Sequence, residues 1–475
     1  AELSINLESS SIIGGYIGQD IPSFGPFNAE AKLSSSNKNL QLESLRLDLQ
    51  DPALTARIDG SAQQIGKYAD ENFEISGIEI SAEAATGQLG DILARAGVTV
   101  PAEVPSSVEL KVVSAGSLDK LAITDLLATV TDSGLDVNLS GTVDNVIDLS
   151  GIAATLTAMI DDTATLSRFA GVEVPALGSL SLNSNFSSAE DSYRLDDLEL
   201  LLDGELLQAK INGAVKDLMV LTKVAENPEA YAQAGIDASL NVEAGSIAEI
   251  GQLAGVPIPD LGALKVQGKL GSSETSLALE NLDLALTGDE VEANVTAAAA
   301  DLMVLAGVAE DRKNLGKAGI DVTLDANASS VANLVSKVSP GIDLPELGSL
   351  EIDGHLGSTE ASLKLDTLKA SLTQDGIETK ADVVIDDLLN ISGIKAVIDG
   401  NVDSLSTLSE LANKELPETG PWVVQIKADT ESPESPVTIV AQLDGEGTTT
   451  VLDASLPDLK TPQTFETQLN VDVES

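Results

Sequence analysis

The sequence predicts a mainly β protein: an elongated, curved antiparallel β-sheet built from tandem repeats, a β-groove, with short helices between repeats. Three observations predict it. One phrase recurs along the chain, apolar residues alternate with polar ones at a period of two, and that alternation slips by one residue at the same place in successive repeats. The phrase reads "FAGVEVPALGSLSLNSNF" at 169–186, "LAGVPIPDLGALKVQGKL" at 253–270 and "SPGIDLPELGSLEIDGHL" at 339–356. Weaker echoes stand at 18–33, 96–112 and 413–428. Six copies of one phrase in 475 residues imply repeated architecture.

The prolines Pro175, Pro259 and Pro345 anchor three blocks that align without a gap as far as Asp217, Asp301 and Asp387. Within a block, Leu180 and Leu182 alternate with Ser179, Ser181 and Asn183, which reads as a strand with one apolar and one wet face. The phase slips between Leu195 and Leu198, between Leu279 and Leu282, and between Leu365 and Leu368. One extra residue is what a β-bulge supplies, and a bulge bends its sheet. "TGDE" at 287–290 and "TQDG" at 373–376 have the chemistry of turns between strands. Each block then supplies about three strands, with a fourth from "GIDASLNVE" or "GIDVTLDAN".

A short helix precedes each anchor. "SIAEIGQLAG" places Ser246 and Glu249 at capping-box spacing, with Ile247, Ile250 and Leu253 on one face. Gly255 is a left-handed stop, and Pro257 and Pro259 forbid continuation. "DILARAG", "LSRFAG" and "LSELAN" repeat the design, with Gly97, Gly171 and Asn413 as stops. Gly235 and Gly319 lie 18 residues beyond Asp217 and Asp301, but Gly393 lies only 6 beyond Asp387, so twelve residues are inserted at a tolerant edge. The repeats run 1–96 (partial), 97–170, 171–254, 255–340, 341–412 and 413–475 (partial), together one elongated domain of about 24 strands.

Composition narrows the function. Hydrophobic residues make up 43% of the chain but aromatic ones only 2%, so any ligand-facing surface is aliphatic. A net charge of −50 repels nucleic acid and anionic membrane surfaces. There is no cysteine, which excludes disulfides, thiolate metal sites and cysteine nucleophiles. No run approaches the ~20 apolar residues of a membrane helix. Both ends alternate like strands, as if cut from a longer protein. His355 is the only histidine and replaces Asn185 and Lys269 of the aligned repeats, so it is expected to point outward and to bind no metal. Acidic pairs such as Asp161-Asp162, Asp196-Asp197 and Asp386-Asp387 lack EF-hand spacing. They read as solvated acids, with Asp217, Asp301 and Asp387 as helix N-caps. No phosphate loop, dinucleotide fingerprint or distinguished carboxylate pair is present, so neither a cofactor nor an enzymatic activity is expected.

A long sheet with one aliphatic face has two fates: the face is ordinary core, or it stays open as a groove for an apolar ligand. The ordered set of helix, stop, proline phrase, bulged strand pair and following "V-DL--L" element (Val215 to Leu221, Ile385 to Ile391) resembles the repeats of AsmA-family proteins of Gram-negative bacteria, over residues ~18–430. Those are similar to the eukaryotic bridge-like lipid transfer proteins. The resemblance implies a periplasmic protein whose repeating β-groove carries phospholipid or another acyl-chain ligand between inner and outer membranes. It also implies an inner-membrane anchor in a segment absent from this chain, and protein partners at both ends that the sequence does not identify.

The groove set it implies is Leu180, Leu182, Leu195, Leu198, Leu200, Leu264, Val266, Leu277, Leu279, Leu282, Leu284, Leu350, Ile352, Leu363, Leu365 and Leu368. The competing expectation is a structural or adhesive extracellular β-repeat protein whose apolar face is merely core.

Overall fold

Alternating leucine and polar residues let a strand turn one face to an apolar neighbour row and the other to water, and the chain does this in 25 strands among the described residues. The structure is a computed structural model. It describes residues 1–12, 22–36, 39–67, 73–99, 103–189, 192–223, 230–253, 255–305, 308, 311–339, 341–342, 344–409, 414–430, 432, 435–445, 447–456 and 466–473. It is mainly β with few short helices. The chain divides into two compact units, Ala1–Lys223 and Val224–Ser475. The division falls inside the 171–254 repeat, in the longer connection between Asp217 and Gly235.

The first unit holds β1 (Glu2–Leu7) to β12 (Leu207–Val215), and the second holds β13 (Ile236–Ala244) to β25 (Glu466–Val473). Within each unit, every strand pairs antiparallel with the next along the chain. The result is an open, curved meander rather than a closed barrel. One repeat supplies four strands: β14 (Ala263–Ser272), β15 (Leu277–Thr287), β16 (Val291–Ala299) and β17 (Ile320–Ala328).

The register shifts between Leu195 and Leu198, between Leu279 and Leu282, and between Leu365 and Leu368, where the sequence predicts bulges. The same shift recurs between Leu42 and Leu45 and between Ile123 and Leu126, in the divergent first repeats. A bulge at a fixed distance along every fourth strand bends each repeat in the same sense, because it adds twist at that point.

The recurring phrase marks one edge of the sheet. The helix Ile247–Leu253 follows Ser246, whose Oγ accepts from the Glu249 amide at 3.4 Å. Gly97, Gly171 and Gly255 take left-handed φ values of 73°, 68° and 70° and stop their helices. Asn413 and residues 410–412 before it lie outside the described residues; a 3₁₀ turn over Leu405–Leu408 leads into "LSELAN".

The glycine of "LG" in each phrase has a second role. Gly178, Gly262 and Gly348 take φ values of 112°, 110° and 70°. A Cβ there would lie 2.3, 2.2 and 2.1 Å from the carbonyl oxygens of Asp203, Thr287 and Thr373. The carbonyl of each glycine accepts the first amide of the preceding helix, from Thr163, Ile247 and Val331, at 3.0 Å. The weaker echoes keep this bond, Ser10 to Phe24, Leu89 to Ser106 and Leu405 to Thr419.

The inserted residues build short helices at the opposite edge, Leu218–Leu221 and Ala230–Gln233, then Leu302–Leu305 and Asn314–Lys317. Asp217 and Asp301 cap them, accepting from Met219 and Met303 at 3.0 and 2.9 Å, and Asp387 caps a turn through Asn390 at 3.0 Å. Among the described residues the most tightly buried apolar side chains are alanines: Ala230, Ala232, Ala234 and Ala318 at this edge, and Ala53 at the other. No large side chain among the described residues is fully buried.

In the first unit, carboxylates at strand ends hold the edge helices. Asp51 grips the Arg95 guanidinium at 2.9 and 3.0 Å and accepts the Ala53 amide at 2.8 Å. Asp132 accepts the Ser106 amide at 2.7 Å and bonds Arg168 at 3.0 Å. The Ser106 amide, then Arg168 and the Ser133 amide, push the Asp132 carboxyl down to about 2. A depressed carboxyl stabilises the fold fully above its ordinary value of 3.8 and loses that contribution as pH falls through about 2. The melting temperature of Asp132→Asn should therefore lie below that of the unsubstituted protein at pH 7, and the gap should close between pH 4 and pH 2. A gap independent of pH would show that the carboxylate is not the stabilising group.

Candidate functional site

Residues directly opposite each other in an antiparallel pair share a face, so the registers trace each face strand by strand. In the first unit one row runs Ile5–Ala29–Leu47–Ile58–Ala82–Val112 and continues Leu126–Gly141–Ala154–Phe186–Leu195–Val215. In the second, one runs Val242–Val266–Leu284–Val295–Leu324–Gly354 and continues Leu368–Val383–Ala396–Ala428–Ile439–Ala454. Neither row contains a charged residue, although the chain carries 76 acidic and 26 basic ones.

The charges stand on the opposite face. There Asn294, Asp325, Asp353, Lys369 and Asp382 succeed one another in register. Cross-strand pairs such as Lys265 with Glu243 at 2.7 Å and Lys269 with Glu280 at 2.6 Å lie on this face. Such exposed pairs contribute little stability and mainly keep the face wet. A depression of about 610 Å³ on this face is bordered by Asp353, Lys369, Lys380 and Asp382, a charged lining unsuited to hydrocarbon. His355 points to the same side, its Nε2 3.3 Å from Asp321 and its Nδ1 3.2 Å from Asp366.

Each unit gathers its share of the sixteen predicted groove residues on its apolar face. In the first, Leu180 opposes Leu202 and Leu182 opposes Leu200, while Leu198 and Leu195 oppose Gly213 and Val215. In the second, Leu264, Val266, Leu279 and Leu277 oppose Leu286, Leu284, Leu270 and Ser272, and Leu282 opposes Gly268. Leu350, Ile352, Leu365, Leu363 and Leu368 oppose Leu372, Ala370, Leu356, Ser358 and Gly354. Odd spacings such as Leu279 to Leu282 keep one face only because the bulge absorbs the odd residue.

All sixteen are half-buried. In a two-layer sandwich such residues would be fully covered by a second sheet ≈ 10 Å away. Here each leans on its own strand neighbours, and among the described residues of its unit no second sheet lies over it, although the short helices Leu218–Leu221 and Leu302–Leu305 pack against strands of this face. Val256 and Ile342, just beyond the helix stops, are exposed at one edge, the lip marked by the phrase.

Sequence reasoning missed two contributors. The small floor residues Gly268 and Gly354 sit where large leucines cross: Leu282 Cδ1 lies 3.5 Å from a Cβ placed on Gly268, and Leu368 Cδ1 3.3 Å from one on Gly354. Their recurrence in aligned columns was the available signal. The Asp–Arg latches at the edge had none, since their partners are 44 and 36 residues apart. Among the described residues no helix is long and apolar enough to cross a membrane, which leaves membrane crossing by strands untouched. Comparison with family models, with curated proteins and with solved structures finds no match to this chain.

Proposed function

We propose that the apolar face of each unit binds the acyl chains of phospholipid and that the protein is a non-enzymatic lipid conduit of AsmA-like type, working in the periplasm between inner and outer membranes. One observation carries the reading: uncharged apolar rows pass from strand to strand through each unit, half-buried, with no second sheet over them among the described residues. A chain laid on them gains ~0.8 kcal/mol for each CH₂ removed from water, without directional contacts that would pin it. Such contact holds a lipid while letting it slide. An uncovered strip of this kind also favours aggregation unless something occupies it, which a bound acyl chain would do.

Phospholipid is expected to copurify with the gently isolated chain and to appear by mass spectrometry after organic-solvent extraction. A lipid-free protein that stays monodisperse would overturn the proposal in favour of a structural or adhesive role.

A further inference from the structure

The edges of each unit are charged unlike its apolar face, and this asymmetry bears on which lipid headgroup the face admits. At the edge of the second unit marked by the recurring phrase, Asp260, Asp289, Glu346, Asp375 and Asp403 are all exposed at strand ends. They stand just before β14, in the turn between β15 and β16, before the strand Ser349–Ser358, in the turn after Leu363–Gln374, and after Ser392–Val402. The cations at this edge are Lys337, on the helix Val331–Val338, and Lys414, in the 413–428 copy of the phrase. At the matching edge of the first unit Arg95 and Arg168 are already held by Asp51 and Asp132. The lip therefore offers a lipid many carboxylates and few free cations.

A phospholipid whose tails lie on the apolar rows must bring its headgroup to one of the two edges, because the rows have no charged partner for a phosphate. The opposite edge of the second unit carries the exposed Arg312, Lys313 and Lys317, so the carboxylates act on headgroups at the edge marked by the phrase. There the outermost headgroup atoms meet the carboxylates. The terminal ammonium of phosphatidylethanolamine is attracted, whereas phosphatidylglycerol presents a net negative charge with no outer cation and is repelled.

We infer that the groove selects zwitterionic, amine-terminated phospholipid against anionic phospholipid by the charge of its rim. This inference rests on the lipid-conduit reading above and adds headgroup specificity to it.

The full chain is to be incubated with vesicles of equal phosphatidylethanolamine and phosphatidylglycerol with matched acyl chains, separated, and its bound lipid quantified by mass spectrometry. Mixed vesicles make approach to the membrane common to both lipids. Phosphatidylethanolamine should be enriched about fivefold or more at low ionic strength, and the ratio should fall toward one in ~0.5 M salt as the rim charges are screened. The combined variant Asp260→Lys, Asp289→Lys, Glu346→Lys and Asp375→Lys should lose or invert the preference while binding a similar total amount. Equal occupancy, or enrichment of phosphatidylglycerol by the unsubstituted chain, overturns the selectivity while leaving lipid binding intact. Absence of any bound phospholipid overturns the conduit reading, and the selectivity with it.

Discussion

Replacing Leu284 with aspartate is expected to cut bound phospholipid by about tenfold or more while the second unit stays folded. Leu284 lies in the apolar row between Val266 and Val295, half-buried. Without lipid its outer surface meets water, so a carboxylate there remains solvated. The loss is then the apolar contact with its row neighbours, about 1–2 kcal/mol, and the melting temperature should fall by only a few degrees. With lipid, the carboxylate would be pressed against hydrocarbon without a partner, which is far more costly. Leu198→Asp and Leu282→Asp should behave alike in their respective units. The readouts are lipid recovered by mass spectrometry, and circular dichroism with thermal melting. Loss of sheet structure in these variants would mean that the face is a sealed core, and the groove reading would fail.

The largest loss of stability is expected from Gly262→Ala, about 3 kcal/mol in the second unit. Two costs coincide there. The φ of 110° disfavours any side chain, and the new Cβ would stand 2.2 Å from the Thr287 carbonyl oxygen, a backbone atom that cannot step aside without breaking the strand end. The carbonyl of Gly262 also anchors the first amide of the helix Ile247–Leu253, so a shift at the glycine frees the helix as well. Gly255→Ala is the control. Its φ is 70°, but nothing lies within 4 Å of the added Cβ, and the cost should be the left-handed backbone alone, about 1 kcal/mol. Denaturant unfolding of the two variants measures the difference. Equal losses would show that the close approach to Thr287 is unimportant.

These two expectations separate what the repeat phrase does from what the strands between its copies do. The phrase fixes an edge. Its helix stop, its extended proline and its close-packed glycine set where the next strand begins. The strands between carry the surface. A substitution in the phrase should therefore act on stability, and a substitution on the apolar row should act on ligand.

The alternation around Leu180 and Leu182, the slip between Leu279 and Leu282 and the turn at 287–290 were all readable in the linear order, because a strand's facing depends only on counting residues by twos. Hence the β class, the four-strand repeat and the common face of the sixteen aliphatic residues followed from the sequence by itself. What it left open was whether that face is covered, since a leucine under a second sheet and a leucine on an open one stand in the same alternating pattern. Only the tertiary structure bears on this, by leaving those leucines half-buried with no second sheet over them among the described residues. It also decided how the edges are held, through Arg95 on Asp51, Arg168 on Asp132 and Gly262 against Thr287. Such contacts join residues tens of positions apart, and only the three-dimensional path of the chain brings them together.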